Sequence, residues 1–313
     1  MFLHELTDAK ELFLVISEEK AINPSIVEKD YWVMHTLWGL QQQGFDFELK
    51  GGTSLSKGFD IINRFSEDID IQIHPSSSLE VKSGKNHNKK SHIESRRAFF
   101  DNLANLLAIQ GVVFQRDHEF DDVSKMRSAG IRGTYRSHFP SLDALKEGVL
   151  LEVGFDKTTP YDFRNISSWA YEKAISSGVN IIDNQATQVK CYLPEYTFIE
   201  KLQTISTKYR VNQQKNIASP INFIRHYYDV YQLLNTDRVQ QFIKTEAYQS
   251  YKVEKFGTFD EPDLTKNPAF RLSLQGEMDK FSTLYQKKAE IYFGSSPPFE
   301  EIIQNIQSHA HEL

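Results

Sequence analysis

Asp68-Ile69-Asp70-Ile71-Gln72-Ile73 alternates polar and apolar residues without a break. Such alternation marks a strand with one buried face, and alternate side chains of a strand share a face. Asp68 and Asp70 therefore project together, and the isoleucines pack on the other side. Two adjacent carboxylates repel each other, so the strand either gives them to water or holds a cation. Hard oxygen ligands at this spacing suit Mg²⁺, which keeps several waters and completes its shell with substrate phosphates. The plain alternative is an edge strand with an acidic outer face.

What precedes the strand narrows the choice. Phe47 to Lys50 is a short strand-like run, followed by Gly51-Gly52-Thr53-Ser54 and a helix opening over Leu55 to Phe59. Paired glycines allow a tight turn and close approach of the main chain to a ligand. Backbone N–H groups at such a turn and helix start favour an anion such as phosphate. A phosphate-binding turn leading into a cation-binding strand is suited to nucleotide chemistry. Further along, Val149 to Phe155 reads as a strand with Glu152 in its middle. A carboxylate among apolar neighbours is costly unless paired or metal-bound, so Glu152 is a candidate third ligand. Asp156, just past the strand, competes for that role.

At 313 residues the chain has room for two domains, and its 40% hydrophobic and 25% charged content is that of a globular protein. No apolar run reaches the length of a membrane span, the N-terminus lacks a signal-peptide core, and Cys191 is the only cysteine. These features point to a cytoplasmic protein with no membrane partner, no internal disulfide and no cysteine metal cluster. The ten histidines lack zinc-ligand spacing, and neither a P-loop nor a nucleophile elbow is present. The net charge of −6 gives no global preference for nucleic acid. Locally, Lys82, Lys85, Lys89, Lys90, Arg96 and Arg97 cluster directly after the Asp68–Ile73 strand, where they offer a surface for RNA.

The patterning predicts an α/β mixed-sheet domain over residues 1–192 and a helical domain over 193–313. Residues 7–20 read as a helix. A longer one starts at Asn23-Pro24-Ser25, with Ser25 and Glu28 at capping-box spacing. Ile26, Val33, Leu37 and Leu40 give it a core stripe, which leaves Lys29 and Asp30 as a surface pair. The basic segment reads as a mobile loop leading into a helix at Ser91, again with capping-box spacing, to Glu94. Residues 157–185 read as irregular, and the chain after Pro194 as helical. There, Lys201 has the pattern of a snorkelling lysine and Asp229 that of a partner for Arg225 one turn earlier.

Taken together, the motifs resemble the AbiEii/AbiGii toxin family of polymerase-β-like nucleotidyltransferases. The resemblance is carried by Gly51-Gly52-Thr53-Ser54 with Arg64-Phe65-Ser66-Glu67-Asp68-Ile69-Asp70, by Glu28-Lys29-Asp30-Tyr31-Trp32, by Glu200-Lys201-Leu202 and by Arg225-His226-Tyr227-Tyr228-Asp229. In the last of these, His226 replaces the usual acidic residue. The resemblance implies a mixed sheet carrying the metal, a helical domain, and a toxin of a bacterial toxin–antitoxin or abortive-infection pair with a cognate antitoxin. It implies transfer of nucleotides from an NTP to RNA, above all the tRNA 3′ end, with Mg²⁺ or Mn²⁺. On this reading Asp68, Asp70 and Glu152 hold metal, and Gly51, Gly52, Thr53, Ser54 and Lys57 bind the nucleotide. Lys201 neutralises phosphate charge, and Asp229 orients Lys201 or touches the nucleotide. Nucleotide transfer to a protein hydroxyl, and nucleotide binding without catalysis, are the alternatives.

Overall fold

The computed structural model describes residues 1–313 except 144, 218–220, 275 and 295. It divides into two compact units, one comprising Met1–Phe59 and Phe65–Tyr192, the other Asp60–Arg64 and Leu193–Leu313.

The first unit is built on a seven-stranded mixed sheet. Its strands are β1 (Phe47–Lys50), β2 (Asp68–Ile73), β3 (Val112–Asp117), β4 (Ser128–Tyr135), β5 (Val149–Gly154), β6 (Tyr161–Ile166) and β7 (Ala186–Tyr192), in the order β3-β4-β5-β2-β1-β7-β6. β2 lies at the centre, antiparallel to β1 and parallel to β5. A central strand cannot offer an acidic edge to water, which removes the plain alternative for the Asp68–Ile73 alternation. Ile69, Ile71 and Ile73 are buried in the core.

The helices of this unit are α1 (Ala9–Lys20), α2 (Pro24–Gln42), the single turn α3 (Gly51–Thr53), α4 (Lys90–Leu106) and α5 (Trp169–Ser176). α3 runs on into a wider π-type turn over Ser54–Gly58. α2 is buried without interruption from Ile26 to Leu37. Val33, Leu37 and Leu40 are wholly buried, and each contributes about 1.5–3 kcal/mol.

α2 starts on Asn23, whose side chain accepts from the Ser25 N–H at 2.9 Å, in place of a Ser25–Glu28 capping box. α4 begins at Lys90 with no side-chain cap. The stretch expected to be irregular contains β6 and α5, the latter capped by Ser168. The basic loop is tied down rather than loose. Arg96 donates to the carbonyls of Lys82 at 2.6 Å, His87 at 2.9 Å and Lys125 at 2.6 Å. Arg127 donates to those of Ser83, Gly84 and Lys85.

The second unit is helical: α6 (Pro194–Lys215), α7 (Arg225–Leu234), α8 (Asp237–Phe242), α9 (Glu246–Lys255), α10 (Pro268–Arg271), α11 (Glu277–Gln286) and α12 (Phe299–His309). Residues 60–64 pack with these helices: the Asn63 carbonyl accepts from the Phe293 N–H, and Arg64 bridges to Tyr292. Among the described residues no helix is long and apolar enough to cross a membrane.

Candidate active site

The register of the sheet gathers the carboxylates. β2 and β5 run parallel with Asp70 opposite Glu152 and Asp68 opposite Leu150. Paired residues of neighbouring strands share a face, so Asp68, Asp70 and Glu152 stand on one side of the sheet. Asp68 is buried, Asp70 partly so, and the Glu152 side chain is 40% exposed. Asp156 lies past the end of β5, 65% exposed, with Lys50 Nζ 3.2 Å from its carboxylate. Pairing thus sets Glu152 beside Asp70, while Asp156 lies outside the ladder, a difference alternation alone did not show.

Gly51 shows why the turn needs glycine. Its φ is +71°, and a Cβ there would lie 2.2 Å from Asp70 Oδ2. Any side chain would have to displace the carboxylate itself. The turn therefore brings bare main chain against Asp70. The two hydroxyls of the turn, which the sequence reading assigns to the triphosphate, are buried. Thr53 is wholly buried and donates to the Asp68 carbonyl at 2.5 Å, and Ser54 is also wholly buried. Lys57 is likewise engaged: its ammonium lies 2.7 Å from Asp30 Oδ1 and 4.1 Å from the centre of the Trp169 ring.

Lys29 and Asp30 are not a surface pair. Glu28, Lys29 and Asp30 are all buried, and each fastens a different segment of the first unit. Glu28 accepts from Ser137 Oγ at 2.7 Å and from the His138 N–H at 2.9 Å. Lys29 donates to Glu67 Oε2 at 2.8 Å and to the Lys146 carbonyl. Asp30 holds Lys57 and accepts from the Trp169 N–H at 2.9 Å. Burial opposes ionisation of Glu67, but Lys29 and the Lys146 N–H outweigh it and hold the carboxyl below the ordinary range. Buried charges persist only when paired in this way.

A cation already stands among the carboxylates. Lys146 Nζ is 2.7 Å from Asp68 Oδ2 and 3.7 Å from Glu152 Oε1. Among the described residues no three His, Cys, Asp or Glu side chains converge closely enough to enclose a metal ion. The donor set nevertheless fits a hard divalent cation, because it consists of carboxylate oxygens on adjacent positions of two paired strands, and an ammonium bridges two of them. Sequence reasoning missed Lys146, which lies in a loop with no periodic pattern; it also missed Glu67, the residue just before Asp68.

In the second unit Asp229 is wholly buried and receives Arg64 Nε at 2.6 Å, Arg64 Nη2 at 2.7 Å and Lys201 Nζ at 2.6 Å. Burial works against its charge, yet Arg64 and Lys201 keep its carboxyl well below the usual range. Asp229 is thus the partner of these two cations, where sequence spacing had suggested Arg225. Lys201 is buried as well, and its ammonium is depressed by burial against the pull of Asp229. Two cations on one carboxylate leave the trio net positive. His226 is held neutral by burial beside Lys201, Lys208 and Arg225, and so cannot stand in for an acid.

Of the basic cluster, Lys82, Lys85, Lys89, Lys90 and Arg97 are exposed. Arg96 is wholly buried with its donors on main-chain carbonyls, so it anchors the loop and is removed from the RNA-facing set.

A central carboxylate strand beside a glycine turn, on a mixed sheet flanked by helices, is the arrangement of a nucleotidyltransferase-type α/β protein. The sequence model of one family, described as nucleotidyl transferase AbiEii toxin, Type IV TA system, matches residues 36–305. The chain belongs to that family. The match begins beyond Glu28-Lys29-Asp30 and includes all three carboxylates, Lys201 and Asp229. No curated protein and no solved structure matches the chain.

Proposed function

We propose that this chain transfers a nucleotide from an NTP to the 3′ end of an RNA, foremost a tRNA, with Mg²⁺ or Mn²⁺ held by Asp68, Asp70 and Glu152, and that a cognate antitoxin restrains it in the cytoplasm. The observation that carries this reading is the register of β2 and β5, which sets Glu152 beside Asp70 on the carboxylate face. Family membership supports the toxin role, the nucleotide substrate and the antitoxin.

A bound divalent ion polarises phosphoryl oxygens and lowers the pKa of an attacking hydroxyl. Asp68 and Asp70 would supply its oxygen ligands, with Glu152 the residue that would hold it on the side of the attacking hydroxyl. The Gly51 turn approaches phosphate through main chain, since the Thr53 hydroxyl is engaged at the Asp68 carbonyl. Lys201, oriented by Asp229 and part of a net-positive trio, meets phosphate charge.

Charge supports an RNA acceptor. An acidic protein that modifies RNA needs a local positive surface, and Lys82, Lys85, Lys89, Lys90 and Arg97 provide one. Lysine and arginine contacts with the phosphate backbone are strongly salt-dependent. The 3′ end of tRNA is single-stranded and enters a pocket without unpairing. The test is incubation of the protein with labelled NTP, Mg²⁺, and total RNA or lysate protein. Label is expected in tRNA. Replacing Lys82, Lys85, Lys89 and Lys90 together by Gln should weaken tRNA labelling and flatten its salt dependence without altering NTP affinity. Label in protein and none in RNA would give the acceptor as a protein hydroxyl; label in neither would leave nucleotide binding alone.

A further inference from the structure

Lys146 is fastened at its main chain as well as at its ammonium. Its N–H donates to Glu67 Oε2 at 2.7 Å, its carbonyl accepts from Lys29 Nζ, and Lys29 is itself bonded to Glu67. Lys29 and Glu67 are 3% and 6% exposed, so a buried ion pair grips both sides of one peptide segment. The effect is to aim the Lys146 side chain at the carboxylate face. The ammonium bonds Asp68 at 2.7 Å, lies 3.7 Å from Glu152, and rests 4.7 Å from the centre of the Phe120 ring. Ammonium–carboxylate bonds of this length are among the stronger polar contacts in proteins. Beside the loop is a cavity of about 150 Å³, lined in part by Ser25, Lys29, Tyr135, Leu145 and Lys146.

We propose that Lys146 is a built-in counter-cation that occupies the Asp68–Glu152 carboxylates and yields them to an incoming divalent ion, with Lys29 and Glu67 as positioning residues that hold it there. The inference rests on the reading of Asp68, Asp70 and Glu152 as metal ligands. A divalent ion seated on Asp68 Oδ2 and Glu152 Oε1 competes with the ammonium for the same lone pairs and repels it, which favours movement of the ammonium away from them. The cavity beside the loop offers room for that movement. Until then, Lys146 relieves the repulsion that paired carboxylates would otherwise suffer. The lysine thereby stabilises the metal-free fold and sets a threshold for metal binding.

The test is Mn²⁺ binding to the full chain, followed by electron paramagnetic resonance, together with amine-reactive labelling of Lys146 read by mass spectrometry with and without Mg²⁺. Lys146→Met should bind Mn²⁺ about tenfold more tightly than wild type, the factor expected when a competent state populated about one time in ten becomes the only one. Lys146→Arg, which keeps the cation, should stay near wild type. Mg²⁺ should raise the labelling of Lys146 in the wild-type chain and leave that of Lys29 unchanged. The inference is overturned if wild type binds Mn²⁺ and Lys146→Met binds it no more tightly, or if Mg²⁺ leaves Lys146 labelling unchanged. If neither wild type nor Lys146→Met binds Mn²⁺, the metal assignment itself is wrong and the inference falls with it.

Discussion

Asp68→Asn, Asp70→Asn and Glu152→Gln are each expected to reduce nucleotide transfer by about 10²–10³-fold or more, the scale on which enzymes lose rate when one preorganised electrostatic group is removed. Each change takes a charged oxygen from the only face of the sheet where carboxylates of β2 and β5 meet in register. Asp156→Asn should leave the rate near wild type, since that carboxylate lies beyond the strand, exposed and beside Lys50. Single-turnover incorporation of labelled nucleotide measures the effect, and thermal melts check that each variant is folded. Full activity in Glu152→Gln together with loss in Asp156→Asn would transfer the third-ligand role to Asp156. Wild-type activity in Asp70→Asn would remove the carboxylate face from the chemistry altogether.

Asp229→Asn should destabilise the helical unit by about 3–5 kcal/mol, because removing one partner of a buried ion network strands the others. Here it strands two cations, Arg64 and Lys201, both nearly inaccessible to water. The pH dependence has a definite sign. The Asp229 carboxyl is depressed in the folded chain, so its contribution is complete above the unfolded value, about 3.9. The contribution is lost as pH falls below that point toward the folded value. Asp229→Asn should therefore lower stability at neutral pH and flatten the acid limb of the stability curve. Urea unfolding at pH 7 and at pH 3 reads both effects. Equal stability of variant and wild type at pH 7 would mean that the trio does not hold the unit together.

How much of this was legible in the sequence depended on whether a residue sat in a periodic element. β2 announced itself because its isoleucines alternate on a buried face, and Gly51-Gly52 because few residues tolerate such a turn. Glu152 was visible as an odd acid in an apolar strand, but only the parallel pairing with Asp70 separates it from Asp156. Glu28, Lys29 and Asp30 were misjudged for a physical reason: α2 is buried nearly all round, so no solvent stripe exists to receive its charges, and they are neutralised by loops distant in sequence. β6 escaped notice because it is an edge strand, with Phe163 half exposed, and lacks a clean inside–outside pattern. Arg96 looked like its basic neighbours, yet it is the one turned inward to hold the loop. Lys146 had no signal at all: its meaning lies in the contact with Asp68 and in the Lys29–Glu67 grip, and neither is written in local spacing.

A nucleotidyltransferase moves a nucleotidyl group, with pyrophosphate leaving. That transfer is tested most directly by offering the wild-type chain Mg²⁺, total tRNA and one NTP labelled either at the α- or at the γ-phosphate. Label from the α-position should enter tRNA and label from the γ-position should appear as pyrophosphate, both ceasing when Mg²⁺ is chelated. Entry of γ-label into tRNA or protein would mean phosphoryl transfer instead, and would contradict the account.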